Sequence, residues 1–292
     1  MESPENRLRW GAEQRLEFIE FQLFWEGTIN RSDITARFGV SVPQASNDLT
    51  LYRELAPGNL EYDASAKRYM TTPGFAPRFL KPNPDRYLAQ LKAVADGIMA
   101  FSDTWMSTAP SIGVLPVPGR RIVPEILRAL LNGIRAGNSL HIEYQSMNRE
   151  RPDPLWRWIT PHALGSDGMR WHVRAFCHRR ENFVDFLVSR CLTIGESGAA
   201  GARAEDDWRW QNFFEVHLEP NPELALGQRR AIELDYGMND GRVTVPVRHA
   251  LLYYFNKRLR LDVGAHLDDP PERPVIVANR DEFDRALADA AV

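Results

Sequence analysis

The amino-acid sequence predicts an α+β protein of several domains, and three observations carry that prediction. Its 292 residues exceed what one small core organises. Apolar residues recur at helical spacing in the first part of the chain and alternate with period two from Leu140 onward. Proline-rich stretches at 72–86 and 110–118 interrupt the pattern, because proline supplies no backbone donor and ends helices.

Composition sets the outer bounds. With 43% hydrophobic and 26% charged residues and no run near the roughly eighteen apolar residues of a membrane span, a globular chain is expected. The first residues lack a basic segment followed by an apolar one, so a cytoplasmic location is expected. Cys177 and Cys191 are the only cysteines, with no CxxC or HxxxH spacing beside them. Buried free thiols are therefore expected, with neither disulfide nor zinc site and no cofactor. The net charge is −3, which excludes nucleic-acid binding by overall charge and leaves only a local basic surface for it. Residues 73–139 hold eight basic and four acidic side chains, whereas 193–292 hold twelve and eighteen.

At the N-terminus, Leu16, Phe18, Ile19, Leu23 and Phe24 predict a helix over about 12–26, with Glu13, Glu17 and Glu20 on the arc facing away. A short helix follows over 31–38, with Ser32 as candidate N-cap and Gly39 as the stop. Ser41, Pro43 and Gln44 form the pattern of a capping box that opens a third helix to about Leu55. On it, Ala45, Leu49 and Tyr52 share the core face, while Gln44, Ser46, Asn47 and Thr50 project from the other. Leu60–Tyr62 and Arg68–Met70 then read as a two-stranded wing. Helix, short helix, glycine turn, helix and hairpin is the order of a winged helix-turn-helix, here over 1–72. Short hydrogen-bonding side chains on the third helix suit base edges, and Arg31, Arg37, Arg53, Lys67 and Arg68 supply charge for phosphates. The expected DNA-binding set is Gln44, Ser46, Asn47, Thr50, Arg53, Lys67 and Arg68. The alternative is a three-helix domain that contacts protein, which the excess of eleven acids over eight bases in 1–72 favours.

Residues 73–138 read as a linking region with helices over 85–101 and 124–136, the second carrying Ile126, Leu127, Leu130, Leu131 and Ile134. Leu140–Ser146 then alternates as a half-buried strand. Runs at 158–164 and 170–177 flank the turn Gly165-Ser166-Asp167-Gly168, a hairpin signature. A third run spans 183–192. Several short strands at close spacing predict a small β-barrel or curled sheet over 139–195. Residues 140–192 contain eight arginines, no lysine and four of the seven histidines. Arg174 and Arg190 lie in strand-like runs, where a guanidinium is solvated, paired or aimed at a ligand. Either carboxylates pair them, Glu143 or Asp185 for Arg174 and Asp153 or Asp185 for Arg190, or an anion does, since the planar fork fits phosphate.

Pro161-His162-Ala163-Leu164, Arg170-Trp171-His172-Val173-Arg174-Ala175-Phe176-Cys177-His178 and Phe186–Arg190 resemble, in order and spacing, the WYL domain of bacterial transcriptional regulators. Trp171-His172-Val173 occupies the place of the name-giving Trp-Tyr-Leu, with only Trp retained. The resemblance implies an Sm-like or SH3-like barrel that senses a nucleotide or short nucleic acid. By position it implies ligand-binding roles for Tyr144, Ser146, His162, Arg174 and Arg190.

Residues 196–228 are expected as a second linker, with a small flexible stretch at 195–201 and a bridge around Trp208 and Trp210. In 229–292, Ile232, Leu234 and Tyr236 alternate as a strand, Gly237–Gly241 turns, and Val243, Val245 and Val247 alternate again. A helix over 250–261, a strand at 275–278 and a helix opened by Asp281 complete a small α/β sandwich. It resembles the WCX extension of the same regulators, without its Trp-Cys signature. Ser146, His162, Ser166 and Asp167 raise a hydrolase reading, but no GxSxG, P-loop or paired-carboxylate motif supports an enzyme. The whole resembles the WYL regulators that control BREX and CBASS phage-defence operons. It implies a homodimeric repressor that binds duplex operator DNA and is relieved by its ligand. The alternative is a nucleic-acid-sensing accessory protein whose winged helix binds a protein.

Overall fold

In the computed structural model, which describes residues 10–150, 152–262 and 269–290, the chain divides into two units after Pro116. In the first, α1 (Trp10–Phe21) runs into a π turn at Gln22–Glu26, and Gly27 ends it at a φ of +75° that glycine adopts without strain. The two-residue strand β1 (Thr28–Ile29) leads to α2 (Arg31–Phe38). Its cap is Asn30, not Ser32: Asn30 accepts from the Arg31 N–H, and Asp33 accepts from the Asn30 N–H at 2.7 Å. An acid three residues beyond Asn30 closes this reciprocal box, whereas the residue three beyond Ser32 is Thr35. α3 (Val42–Leu55) opens on Ser41, whose hydroxyl accepts from the Gln44 N–H. The return bond is not made, because the Gln44 amide donates to Asp48 instead. Ala45, Leu49 and Tyr52 are buried, as their spacing requires. β2 (Leu60–Asp63) and β3 (Arg68–Thr71) form the expected hairpin, and β1 adds to it in the order β1-β3-β2.

Glu20 does not face solvent; it is fully buried. Its carboxylate accepts from the N–H groups of Arg78, Phe79 and Leu80 at 2.6–2.9 Å and from the Tyr52 hydroxyl at 3.0 Å. Asn59 extends the network by donating to Tyr52 Oη and exchanging two bonds with Ala76. These bonds fold the proline-rich stretch down onto α1 and α3. α4 (Pro84–Ala95) is capped by Asn83 and ends at Asp96, because Gly97 follows in the left-handed region at +69°. Tyr87 and Leu91 of α4 pack on Phe21 and Trp25, so this helix belongs to the first unit's core.

In the second unit, α5 (Pro124–Ala136) lays Ile126 and Leu130 on a five-stranded antiparallel sheet. Its strands are β4 (Ser139–Tyr144), β5 (Leu155–Ser166), β6 (Trp171–Cys177), β7 (Asn182–Leu187) and β8 (Cys191–Gly198), in the order β7-β6-β5-β4-β8. Among the described residues the outer strands β7 and β8 are not paired with each other. Gly133 permits the close approach of α5, since a Cβ there would lie 2.8 Å from Leu140. The expected third run breaks at a 3-10 turn, Val188–Arg190, and the stretch expected to be flexible is strand as far as Gly198. Cys177 and Cys191 are buried free thiols.

The chain continues through α6 (Trp208–Gln211), β9 (Phe213–Pro220), α7 (Leu226–Asp235), β10 (Val243–Arg248), α8 (Leu252–Arg258), β11 (Val275–Val277) and α9 (Arg280–Ala290). The second sheet has the order β10-β9-β11, so its central strand is Phe213–Pro220. Ile232 and Leu234 lie in α7, not in a strand, and Tyr236 follows its end. Three apolar residues two apart do not distinguish the periods: Ile232 packs on the core while Leu234 is 83% exposed.

Replacing Glu20 by Ala strands four donors, the Tyr52 hydroxyl and three backbone N–H groups, and about 3 kcal/mol of stability should be lost, read by urea unfolding of the full chain. Glu20→Gln, which keeps one acceptor, should lose less.

Candidate nucleic-acid and ligand-binding sites

α3 meets its own unit through Asp48 as well as its apolar side. Arg15 of α1 grips Asp48 with two bonds of 2.7 and 3.1 Å, and Asp48 is only 2% exposed. This pairing neutralises an acid that would otherwise sit beside the polar face. On that face Asn47 and Thr50 are exposed and Gln44 and Ser46 are half-buried. The hydroxyls of Ser46 and Thr50 donate to the helix carbonyls of Val42 and Ser46, and Gln44 is engaged by Asp48. Asn47 is the member of the set whose side chain has no partner among the described residues. Arg31, Arg53, Lys67 and Arg68 are exposed. Lys67 stands at the wing tip with φ of +52°, in a turn that Asp63 holds by accepting from Ser65 and Ala66. Arg37 is used internally, donating to the carbonyls of Ser102, Asp103 and Thr104.

The five residues with expected ligand roles fall into separate groups. Val173, Ala175 and Cys177 of β6 belong to the core, so the intervening Arg174 lies on the opposite face. There it is 4% exposed. Asp207 receives its Nε and Nη2 at 2.7 and 3.0 Å, and Asp185 lies 3.4 Å from Nη1. His162 Nε2 is 2.9 Å from the same Asp207, its ring edge-on to Phe183 and Trp210. Asp207 also caps α6 through the Trp210 N–H. The Tyr254 hydroxyl of α8 donates to Asp185 at 3.1 Å, and the Tyr254 ring lies against His172. Burial alone would raise the Asp207 carboxyl. Hydrogen bonds from His162 and Arg174, with the arginine's charge, hold it at about 2. For Arg174, burial works against the charged form, and Asp207 and Asp185 reverse the effect, raising its pKa.

Tyr144 lies on the core face, edge-on to Phe186 at 5.0 Å, its hydroxyl accepting from the Leu187 N–H. Burial raises its pKa, and nearby Arg190 opposes that. Among the described residues Arg190 has no ion-pair partner. The Ser146 hydroxyl, just beyond β4, accepts from the Asn148 N–H. Thus His162 and Arg174 share one group, Tyr144 and Arg190 another, with β4 and β6 presenting them on opposite faces. Asp207 was not foreseen as Arg174's main partner, although an acid directly before Trp208 carried an N-cap signal. Asp185, foreseen as one possible partner, is the lesser contact. Among the described residues no cluster of three or more His, Cys, Asp or Glu could hold a metal ion.

The Asp207 bridge has a testable sign. A carboxyl held at about 2 when folded, against roughly 3.9 when unfolded, contributes about 2 kcal/mol that is present above pH 4–5 and lost as pH falls towards 2. Asp207→Asn should lower stability at pH 7, and the difference from wild type should shrink between pH 5 and 2 in urea melts. A difference independent of pH would contradict the assignment.

Three family models cover most of the chain: the BrxR transcriptional regulator winged helix-turn-helix domain at residues 11–93, the WYL domain at 125–194 and the BrxR transcriptional regulator C-terminal dimerization domain at 213–283. The dimerization model takes in β9 as well as the region expected to resemble WCX. A DNA-binding transcriptional repressor CapW from Escherichia coli (strain KTE188) is 39% identical over 94% of this chain and 91% of its own length. The CapW of Stenotrophomonas maltophilia is 40% identical over 96% and 93%, and that of Pseudomonas aeruginosa 40% over 94% and 91%. Identity of this extent, across all three domains in the same order, assigns the chain to the CapW family of WYL-domain transcriptional regulators.

Proposed function

We propose that the chain is a homodimeric, cytoplasmic, DNA-binding transcriptional repressor of a phage-defence operon, relieved by a nucleotide or short nucleic acid. The observation that carries this reading is α3: in a winged helix-turn-helix of the CapW family, it exposes Asn47, Thr50 and Arg53, and the wing exposes Lys67 and Arg68. Gln44, Ser46, Asn47 and Thr50 form the base-reading set, and Arg53, Lys67 and Arg68 contact phosphates. Because Asn47 alone has an unengaged amide, it carries more base discrimination than Ser46 or Thr50, whose hydroxyls are committed to the helix. The functional division is the winged helix-turn-helix with α4 packed on it for DNA, 139–195 for sensing, and the C-terminal domain from β9 onward. The five-stranded sheet is read as an Sm-like or SH3-like barrel. The dimerization domain pairs two recognition helices, whose half-sites lie one helical turn, about 34–36 Å, or a multiple of it apart.

The ligand is proposed to engage Tyr144, Ser146, His162, Arg174 and Arg190. Arg190 and Tyr144 offer the half without an internal acid. Arg174 and His162 are the half already held by Asp207, so an anion reaches them only by taking Asp207's place. Asp207 caps α6 immediately before β9, and its release loosens the connection to the dimerization domain. Such coupling requires that the ligand prefer the state that binds DNA poorly, and operator must weaken the ligand by the same factor.

Mobility shifts with the native upstream DNA test the first part. Asn47→Ala should cost about 1–3 kcal/mol on the operator and nothing on random duplex, while Lys67→Ala and Arg68→Ala should weaken both and flatten the salt dependence. Equal loss on both DNAs for Asn47→Ala would remove α3 as the reader. For the second part, Arg190→Ala should bind operator normally yet no longer release it on addition of the ligand. Asp207→Asn should bind operator less tightly with no ligand present, and unchanged operator affinity in that variant would overturn the displacement route.

A further inference from the structure

Arg174 is satisfied by two carboxylates, but the same sheet carries an arginine that is not. Arg157 of β5 lies two residues before the fully buried Ile159, hence on the core face. Its guanidinium carbon stands 5.2 Å from the centroid of the Tyr144 ring and 5.8 Å from that of Phe186. Its Nε is buried with no hydrogen-bond partner among the described residues. Burial depresses its pKa, and although Cys177 and Tyr144 oppose this, Arg180 and Arg179 add to it.

The backbone explains why so many cations meet here. Ile159 pairs with Cys177, and the His178 N–H donates to the Trp158 carbonyl, so continuing the ladder brings the turn with Arg179 and Arg180 alongside Arg157. On the other side Tyr144 pairs with Cys191, directly after Arg190. Glu150 and Asp153 line a crevice with Arg179. Yet among the described residues neither forms an ion pair, nor do any of these four arginines. A partly buried guanidinium, short of a hydrogen bond and pressed by like charges, lowers the stability of the ligand-free fold. Retaining it makes physical sense where an anion completes it.

We infer that Arg157, with Arg179, Arg180 and Arg190, forms a phosphate-binding site at the Tyr144–Phe186 end of the core face, built for a chain of phosphates. This rests on the reading of the WYL domain as an anion sensor and moves the charge recognition from Arg174 to Arg157. Two guanidinium forks accept adjacent phosphate groups bidentately, and the exposed pair Arg179 and Arg180 supplies the long-range attraction. The aromatic rings hold the Arg157 fork in place by cation–π contact.

The probe is inorganic tripolyphosphate, titrated calorimetrically into the full-length protein at low salt, with melting temperature followed in parallel. Wild type should bind it and melt higher in its presence. Arg157→Met, whose side chain fills the same space between the rings, should bind about tenfold more weakly, yet melt no lower than wild type without phosphate. Arg157→Lys should recover part of the affinity, and Arg230→Met, which removes an exposed charge in α7, should change neither. Absence of binding to wild type, or undiminished binding to Arg157→Met, overturns the site. A variant that melts lower and binds normally makes Arg157 a structural packing residue and also overturns it. Operator release is read separately, by anisotropy of labelled operator DNA. Arg157-dependent binding that releases no operator keeps the site and removes the sensing role, whereas release that survives Arg157→Met keeps the sensing role and removes this site.

Discussion

The contact on which the second unit depends is the two-pronged bond between Arg174 and Asp207. It joins a strand of the five-stranded sheet to the segment leading into β9, the central strand of the C-terminal sheet. Both side chains are at most 5% exposed, so the attraction acts with little solvent screening, and the cost of desolvating the two charges is correspondingly high. A pair of this kind contributes modest net stability but a large penalty for being half-removed. That makes it a fastener with two states, closed or broken, and His162 and Asp185 on the same two groups narrow the closed geometry further.

The first unit solves a similar problem with a carboxylate that has no ion-pair partner among the described residues. Glu20 collects three consecutive backbone N–H groups and the Tyr52 hydroxyl, which stabilises its charge by hydrogen bonding instead of pairing. The consequence is geometrical. Segment 76–80, broken by Pro77, forms no regular structure, and Glu20 satisfies its backbone donors where a helix or strand would have done so. Because Tyr52 is on the same helix as Asn47 and Thr50, the buried network fixes the rotation of α3 about its axis, as Arg15 does from the other side through Asp48.

Much of this fold was legible in the sequence where the signal was local. Ala45, Leu49 and Tyr52 declared the inner face of α3 by spacing alone, Gly39 declared the end of α2, and the alternation of Leu140, Ile142 and Tyr144 declared β4. What escaped reading depends on partners distant in the chain. Glu20 continues an acidic arc with Glu13 and Glu17, and nothing local says that residues 78–80 will descend upon it. β1 is two residues long, too short for any periodicity. In the candidate ligand site, Arg174 and Arg190 stand out because arginine in a strand-like run is conspicuous, and Tyr144 follows from the family resemblance; the division of Tyr144 and Arg174 between faces follows from parity in two different strands, and Arg190 falls in a 3-10 turn. Asp207 lies 33 residues from Arg174, in a stretch whose composition reads as connection. Arg157 stood unremarked among the eight arginines of residues 140–192, since an unsatisfied donor can be recognised only once its neighbours are known.

Arg174 and Arg157 together pose the energetic question a sensor of this architecture has to answer. An anion approaching Arg174 gains only the difference between its own bonds and those of Asp207, because the pair must first be separated and the displaced carboxylate rehydrated. An anion approaching Arg157 displaces no carboxylate, and it relieves an unmet hydrogen bond and repulsion among neighbouring guanidiniums, so most of its interaction energy appears as affinity. On the proposed reading, affinity and switching are served best by different residues of one sheet: the unsatisfied arginine would capture the ligand, and the satisfied one, through the bond it gives up, would alter the segment entering the dimerization domain. A ligand that reached both faces would gain from each, and it would shift the equilibrium between the two states only by the difference in its affinity for them.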